Sequence, residues 1–192
     1  GHPHPGIRDD DHDLIARQRD READPAPGRS ELDRVRDQVV EHLGEAHARD
    51  KQLELSLTAP PGSIAIEADV VRMGQAIDNL ISNAIKFTPR GGHVDVTLAQ
   101  AGPRAILTVT DTGMGMTTTD LERLYERFFR TDSAQTQQIQ GTGLGLPIVK
   151  GIVEAHAGTI TVTSEPNTGT SFVVSLPLAL LGAQADSEAR AA

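Results

Sequence analysis

The chain has 192 residues, enough for one domain with a buried core and additional tails. Its net charge of −9 argues against a nucleic-acid surface, which needs a basic stripe, and its lack of cysteine excludes disulfides and thiolate metal sites. No apolar run approaches the roughly 18 residues of a membrane span and no signal peptide is visible, so we expect a cytoplasmic fragment without membrane contact of its own.

The two ends of the chain are predicted to lie outside the folded domain. Residues 1–29 combine an acidic cluster with prolines and few apolar groups, and they start without methionine, which favours a mobile segment or a cloning remnant on a piece of a longer protein. From Ser30, a good N-cap, apolar residues repeat at helical spacing to about Arg49. Residues 182–192 are small and polar, as in a tail. We therefore place one domain at residues 30–181.

The rest of the domain alternates between strand and helix patterns. Alternating apolar residues predict strands at 53–57, near 64–66, and at 94–98, 105–109, 159–163 and 170–176. Helical spacing predicts helices over about 69–87, 119–128 and 144–156, the last with Gly158 as its C-cap. We expect an α+β fold, a two-layer α/β sandwich with a mixed, mostly antiparallel sheet and the helices on one face.

The predicted helix over 69–87 carries an unusual polar stripe opposite its apolar face. The stripe contains Asn79, Asn83 and Lys86, and asparagine is a poor helix former. An asparagine side chain offers a neutral oxygen suited to Mg²⁺ and an amide donor for phosphate, and Lys86 can neutralise a phosphate. The stripe therefore indicates a metal and phosphate ridge, although a solvated helix face gives the same spacing.

A glycine-rich segment, Asp111-Thr-Gly-Met-Gly-Met116, follows the strand predicted at 105–109. Gly113 and Gly115 leave room for a planar ring close to the backbone. The Asp111 carboxylate can accept a hydrogen bond from the exocyclic amine of adenine, whereas guanine presents an oxygen there. The alternative is a simple Asx-turn at a strand end, which Asp-Thr-Gly forms readily.

A second glycine-rich segment, Gly141-Thr-Gly-Leu-Gly145, stands immediately before a predicted helix. Its backbone N–H groups and the positive end of the helix suit phosphates. It is not a Walker loop, because no Lys-Ser or Lys-Thr follows, and a polar stretch instead of a strand leads into it. A flexible hinge with an N-cap remains the alternative.

Between the two glycine segments lies Arg127-Phe-Phe-Arg130. We expect its two rings to belong to the core. An arginine beside them reaches phosphate if the following polar stretch folds over the ligand as a lid.

Together, these segments resemble the catalytic and ATP-binding domain of sensor histidine kinases, in the GHKL superfamily. The resemblance covers about residues 30–178, and five motifs in the right order and spacing make it specific. The family calls these motifs the N, G1, F, G2 and G3 boxes, which correspond to Asn79–Pro89, Asp111–Gly115, Arg127–Arg130, Gly141–Lys150 and Gly169–Phe172.

The resemblance implies ATP and Mg²⁺ as ligands and assigns roles to particular residues. Asp111 would bind the adenine amine, and Gly115 and Thr170 would contact the base nearby through a water molecule. Asn83, assisted by Asn79, would hold Mg²⁺. Residues 131–142 would form a mobile lid, and no catalytic side chain is assigned. Lys86, Arg130 and the backbone of residues 143–145 would meet the phosphates. The full implied nucleotide site is Asn79, Asn83, Lys86, Phe87, Asp111, Gly113, Gly115, Arg130, Gly141, Thr142, Gly143, Leu144, Gly145 and Thr170.

The chain departs from the family pattern in three places. Phe87 stands where tyrosine is frequent, which removes a hydroxyl but keeps a ring, and Ala157 stands where glycine is usual. The phosphoacceptor histidine motif is missing; His12-Asp-Leu14 lacks its arginine and proline, and the histidines at 42, 47, 93 and 156 are expected at the surface or in packing. The resemblance therefore implies phosphoryl transfer to a histidine on a separate dimerisation hairpin of the parent kinase.

Further partners and alternatives follow from the same resemblance. A response regulator would be an indirect partner of this domain. The fragment would be monomeric, because dimers in this family form through the missing hairpin. The resemblance leaves open whether the parent protein is anchored in the inner membrane. Gyrases and heat-shock chaperones carry a glutamate where Asn79 stands, and an amide cannot act as a base toward water. A serine kinase of the anti-sigma type and a nucleotide-binding regulator without transfer activity are the alternatives.

Overall fold

The computed structural model describes residues 51–61, 64–131, 134, 139 and 141–179. The sequence predictions for residues 1–29, for the helix from Ser30, for the tail and for most of the lid fall outside these residues. The strands are β1 (Glu54–Thr58), β2 (His93–Ala101), β3 (Arg104–Asp111), β4 (Thr159–Glu165) and β5 (Gly169–Pro177). The helices that have both ends within the described residues are α1 (Val70–Phe87), α2 (Thr118–Arg123) and α3 (Gly145–Ala155).

The described strands form one mixed sheet in the order β1-β2-β3-β5-β4. β1 runs parallel to β2, and the other neighbouring pairs are antiparallel. The register pairs Asp111 at the end of β3 with Thr170 near the start of β5. The predicted α+β fold with a mixed, mostly antiparallel sheet is confirmed.

The core lies between one face of this sheet and the helices α1 and α3. Because side chains alternate across a strand, Val94 and Val96 of β2 and Leu107 and Val109 of β3 all point to the same face, where they are buried. The apolar stripe of α1 and the buried residues of α3 belong to the same cluster, and the two helices pack on each other. No described helix is both long and apolar enough to cross a membrane.

Both ends of α1 are tightly capped. At its start the carboxylate of Asp69 accepts a hydrogen bond from the backbone N–H of Arg72 (3.0 Å), as expected of an N-cap. At its end Thr88 bonds back to the carbonyl oxygen of Ala84, and Pro89 follows. The ammonium group of Lys51 donates to three carbonyl oxygens there, those of Ile85 (3.1 Å), Lys86 (2.7 Å) and Thr88 (3.0 Å). The end of α1 that carries Lys86 is thus held in place.

The strand predicted near 64–66 does not form. Ile64 and Ile66 are buried in the core, but no sheet partner pairs with them within the described part of the chain. The backbone oxygen of Ala65 accepts a hydrogen bond from the N–H of Ala179 instead (2.8 Å). The alternation of apolar residues therefore reflects burial of an extended connection and not a strand.

The helix predicted over 119–128 is shorter than expected and ends at Arg123. Phe128 has a φ of +64°, which no residue of a right-handed helix adopts. Its ring is 72% exposed, so the prediction that both rings of Arg127-Phe-Phe-Arg130 belong to the core is wrong for Phe128.

The C-terminal cap of α3 differs from its prediction by one residue. Ala157, not Gly158, takes the left-handed conformation, with a φ of +53°. The N–H of Gly158 bonds to the oxygen of Val153 (2.9 Å) and that of Ala157 to the oxygen of Glu154 (3.1 Å), which is the Schellman arrangement. Gly158 has another purpose, because a Cβ there would lie 2.9 Å from the carbonyl oxygen of Ser175.

Candidate nucleotide site

A cleft of about 410 Å³ opens between α1, the end of β3 and the start of α3. Of the fourteen nucleotide-site residues predicted from the sequence, the structure brings twelve to its walls. Gly113 and Leu144 do not line it. The twelve are Asn79, Asn83, Lys86, Phe87, Asp111, Gly115, Arg130, Gly141, Thr142, Gly143, Gly145 and Thr170.

Asp111 is a buried carboxylate at one end of the cleft, with only 7% of its surface exposed. Its Oδ1 accepts a hydrogen bond from the N–H of Gly113 at 2.8 Å. Burial raises the pKa of the Asp111 carboxyl to about 6, and hydrogen bonds from the backbone amides of Gly113 and Thr170 oppose this rise. Near neutral pH the group is therefore mainly an ionised hydrogen-bond acceptor.

The loop after Asp111 is glycine-rich because other parts of the protein occupy the space where side chains would stand. A Cβ on Gly113 would lie 2.5 Å from Asp111 Oδ1 and 2.7 Å from the backbone oxygen of Phe87. Gly115 has a φ of +63°, and a Cβ there would lie 1.9 Å from the backbone oxygen of Glu165. Gly113 thus lies behind the carboxylate and shapes the site without lining it.

The amides of the polar stripe lie on the cleft side of α1. The side-chain nitrogen of Asn79 donates to the backbone oxygen of Gln75 (2.8 Å), which fixes the orientation of this amide. Its oxygen Oδ1 is left pointing at Gly145, where a Cβ would lie only 2.8 Å away. Asn83, one turn further along, is half-buried and lines the same wall. The stripe is therefore a wall of the cleft and not a solvated face.

Positive charge is concentrated at the end of the cleft where Lys86 and Arg130 lie. Burial lowers the pKa of the Lys86 ammonium, and the positive charges of Arg130 and Lys51 lower it further. The ammonium lies 5.4 Å from the centre of the Phe87 ring and close to Gly141. An anion bound here would relieve the repulsion among these cations.

The second glycine segment, residues 141–145, is hydrogen-bonded to the Arg127–Arg130 segment. The N–H of Phe128 donates to the oxygen of Gly143 (2.9 Å). Gly143 has a φ of +69°, and a Cβ there would lie 2.7 Å from the backbone oxygen of Phe129. The guanidinium group of Arg130 donates to the backbone oxygen of Ile139 while it also lines the cleft.

The start of α3 faces the cleft without a capping side chain. Its N-cap residue is Leu144, which makes no side-chain hydrogen bond to the helix, whereas Ser, Thr, Asp or Asn usually fills this position. The adjoining Gly145 lines the cleft. A helix N-terminus without its own cap is suited to a bound anion.

Apart from Phe87, the large apolar residues of the cleft were not assigned to the site from the sequence. The ring of Phe129 is half-buried on the cleft wall, with the guanidinium of Arg123 4.5 Å from its centre. Other large apolar side chains on the wall come from loops, helices and β5, among them Met114, Met116, Leu124, Leu146 and Phe172. Their spacing along the chain contains no periodic signal, so only the fold reveals that they share a wall.

The comparison with protein families identifies the class of ATPase domain to which this fold belongs. The chain belongs to the family described as histidine kinase-, DNA gyrase B-, and HSP90-like ATPase, whose sequence model matches residues 68–180. This match covers more than half of the chain and includes every described cleft residue.

Within this family the similar proteins are sensor histidine kinases. The chain is 42% identical over 131 residues to the sensor-like histidine kinase SenX3 of Mycobacterium tuberculosis (strain ATCC 25618 / H37Rv), an alignment covering 68% of this chain and 32% of SenX3. The chain thus spans about a third of the length of that relative.

Solved structures agree with the sequence relatives. The mycobacterial sensor histidine kinase MprB superimposes with a TM-score of 0.64 at 32% identity, covering 75% of this chain and 94% of the MprB chain. Full-length ShkA in complex with AMPPNP superimposes with a TM-score of 0.65 at 30% identity, covering 76% of this chain and 30% of ShkA. The predicted resemblance to the catalytic, ATP-binding domain of sensor histidine kinases is confirmed.

Proposed function

We propose that this domain binds Mg-ATP and donates the γ-phosphate to a histidine on a separate acceptor hairpin of its parent kinase, in two-component signal transduction. The observation that carries the proposal is the convergence of a buried carboxylate, an amide pair and two cations on one cleft of about 410 Å³. The names of the relatives, which are sensor histidine kinases, support it.

The ends of the cleft suit the two ends of ATP. Asp111 is a buried acceptor for the 6-amino group of adenine, and Gly115 and Thr170 line the cleft nearby. Lys86, Arg130 and the backbone amides at the start of α3 supply positive charge and donors for the phosphates.

The donor set also fits a magnesium ion bound together with the nucleotide. The described residues contain no group of three or more histidine, cysteine or acidic side chains that could hold a metal without help. Mg²⁺ characteristically uses few protein ligands and several phosphate oxygens, and it accepts neutral amide oxygens. Asn83 and Asn79 would hold it, and the ion would neutralise the charge on the transferring phosphoryl group.

Transfer of the γ-phosphate is favoured over hydrolysis of ATP, because the cleft is suited to position ATP but has an amide, and no general base, at position 79. Phosphoryl transfer depends mainly on positioning and on charge neutralisation. An asparagine amide cannot remove a proton from water, and here the Asn79 amide is already engaged with Gln75. ATP should therefore persist until a histidine nucleophile arrives.

An exposed ring beside the cleft offers a contact for the acceptor hairpin. Phe128 is 72% exposed and holds a φ of +64°, an unfavourable conformation for a bulky residue. Ile148, in the first turns of α3, is another large apolar residue that is exposed. Strained, exposed apolar groups at a site are maintained where they have a function.

Calorimetry of nucleotide binding tests the first part of the proposal. ATP should bind more tightly than GTP, and more tightly with Mg²⁺ than without it. Asp111→Asn should weaken ATP binding by about 1.5–3 kcal/mol, the value of a hydrogen bond to a charged group. Asp95→Asn is a matched control, because Asp95 lies on the opposite face of the sheet and bonds to Thr97. Unchanged ATP affinity in Asp111→Asn would remove Asp111 from the site.

Labelling with ATP that carries radioactive γ-phosphate tests the second part. The domain alone should remain unlabelled, and a supplied acceptor hairpin of the parent kinase should gain acid-labile phosphate, as phosphohistidine does. Acid-stable labelling of the domain itself would contradict the proposal and indicate a serine, threonine or tyrosine acceptor.

A further inference from the structure

Ser164, in β4, makes three hydrogen bonds through one hydroxyl group beside the buried end of the cleft. The hydroxyl lies 2.9 Å from the backbone nitrogen of Met116, 2.8 Å from the backbone oxygen of Gly169 and 2.9 Å from the hydroxyl oxygen of Thr170. It therefore joins the loop after β3, the start of β5 and a side chain that lines the cleft.

The direction of each bond follows from the donors available. A serine hydroxyl has one proton to donate and two lone pairs to accept with. The Gly169 carbonyl can only accept, so the Ser164 proton must be directed to it. The Met116 N–H can only donate, so it uses one lone pair of Ser164. The remaining lone pair meets Thr170, whose hydroxyl must then be the donor.

This assignment limits what Thr170 can offer to a ligand. Its single hydroxyl proton is directed to Ser164, so only oxygen lone pairs remain for the cleft. Thr170 is 8% exposed and paired with Asp111 across the sheet, so neither group can turn away into water. Two acceptors therefore stand side by side at the end of the cleft.

We propose that Ser164 is a positioning residue for base selectivity, because it keeps the Thr170 hydroxyl an acceptor toward the cleft. The inference rests on the proposed ATP site and extends it to a residue that does not line the cleft. Paired acceptors favour a purine with an amino group at position 6 and disfavour one with a carbonyl oxygen there, since a buried acceptor facing another acceptor stays unsatisfied.

Loss of the Ser164 hydroxyl should relax this selectivity. In Ser164→Ala the Thr170 proton has no acceptor at that position, so the hydroxyl can rotate and donate to a 6-carbonyl group directly or through water. Binding of inosine triphosphate should strengthen relative to ATP, and the affinity ratio of ATP to inosine triphosphate should fall by about 3- to 10-fold, the range of one hydrogen bond.

Calorimetric titration of ATP and inosine triphosphate, each with Mg²⁺, measures this ratio. A merely structural loss weakens both nucleotides alike and leaves the ratio unchanged. Ser171→Ala is the matched control, because Ser171 lies on the other face of the sheet and its hydroxyl meets Thr110 at 2.9 Å. Ser164→Thr, which retains a hydroxyl, should restore the ratio.

The outcomes distinguish a failure of this inference from a failure of the proposed function. If the wild-type domain does not prefer ATP to inosine triphosphate, both the proposed site and the inference are contradicted. If the wild-type domain prefers ATP and folded Ser164→Ala keeps the same ratio, the inference alone is overturned. Should Ser164→Ala not fold, Ser164→Cys takes its place, because a thiol sulfur is only a weak hydrogen-bond acceptor for the Thr170 hydroxyl. The inference then requires the ratio to fall in the same direction.

Discussion

At the scale of single residues, the role proposed for Asp111 places two opposing requirements on its carboxyl group. Recognition of an amino group requires an acceptor that is shielded from water, and shielding makes the charged form costly. The backbone N–H of Gly113 compensates part of this cost, yet the pKa of the Asp111 carboxyl remains at about 6. A group retained in such surroundings is typical of a binding site, because it lowers the stability of the empty protein.

Burying the charged Asp111 carboxylate destabilises the folded domain, so we predict that the stability difference between Asp111→Asn and the wild-type domain depends on pH. Between the ordinary pKa of 3.8 and the folded pKa of about 6, the folded state binds the extra proton, so stability is lost as the pH rises through this range. Without nucleotide, Asp111→Asn should therefore be more stable than the wild type at pH 7.5 by about 1–3 kcal/mol.

Urea unfolding at pH 4.5 and pH 7.5 measures this difference in the free energy of unfolding. The advantage of Asp111→Asn should shrink at pH 4.5, where the wild-type carboxyl is already protonated. An equal difference at both pH values would contradict the prediction that the ionised Asp111 carboxylate destabilises the folded domain. The same substitution is expected to weaken ATP binding, so stability and binding should change in opposite directions.

At the scale of elements, the helices are positioned by contacts at their ends. The imidazole of His156, next to the last residue of α3, accepts a hydrogen bond from the N–H of Asp69 (2.9 Å), the N-cap of α1. Lys51 holds the other end of α1 through three carbonyl oxygens. These contacts fix the wall that carries Asn79 and Asn83.

The C-terminal cap of α3 predicts a stabilising substitution. Ala157 is exposed and pays for its φ of +53°, a conformation that costs an L-residue about 1–2 kcal/mol. Ala157→Gly should raise the free energy of unfolding by about 0.5–1 kcal/mol, because the relieved strain exceeds the added entropy of the unfolded chain. Thermal and urea unfolding provide the measurement.

Gly158→Ala supplies the opposite control for this cap. Its new Cβ would lie 2.9 Å from the backbone oxygen of Ser175 and 2.7 Å from a methyl group of Leu176, so the variant should lose stability. If Ala157→Gly is destabilising while Gly158→Ala is neutral, the left-handed residue of this cap has been assigned to the wrong position.

At the scale of the whole molecule, the cleft is assembled from segments far apart in the chain. Its walls come from α1, the loop after β3, the Phe128–Arg130 segment, the start of α3 and the start of β5. None of these segments forms a site without the sheet between them. The exposed Phe128 ring, at the rim of this assembly, is proposed to contact the acceptor hairpin.

Phe128→Asn tests this contact, because asparagine tolerates the left-handed conformation and lacks the apolar ring. ATP affinity should stay unchanged, and the rate of phosphoryl transfer to the acceptor hairpin at limiting hairpin concentration should fall by about 10-fold or more, as expected from lost burial of an aromatic ring. Val71→Asn is the control, since Val71 is 81% exposed and does not line the cleft. Equal transfer rates for both variants would exclude Phe128 from the contact.

Much of the fold was predictable from the sequence because its signals are local. The apolar spacing predicts a helix over about 69–87, which differs from the observed α1 by one residue at its start, where Asp69 is the N-cap. Alternating residues likewise predict β2, β3, β4 and β5, since β2, β3 and β5 bury one face and β4 half-buries one. Where alternation had another cause, as at Ile64 and Ile66, the prediction was wrong.

The sequence by itself determined the family, and it placed Asn79 and Asn83 on one stripe and singled out Asp111 as a candidate ligand of adenine, because residue type and spacing along one element carry that information. The tertiary structure alone decided that Phe128 is exposed, that Ala157 forms the cap, and that the hydroxyl groups of Ser164 and Thr170 are hydrogen-bonded to each other. The physical reason is that burial, a helix cap and a side-chain hydrogen bond depend on which partners distant segments bring to the same place. Spacing along the chain contains no record of those partners.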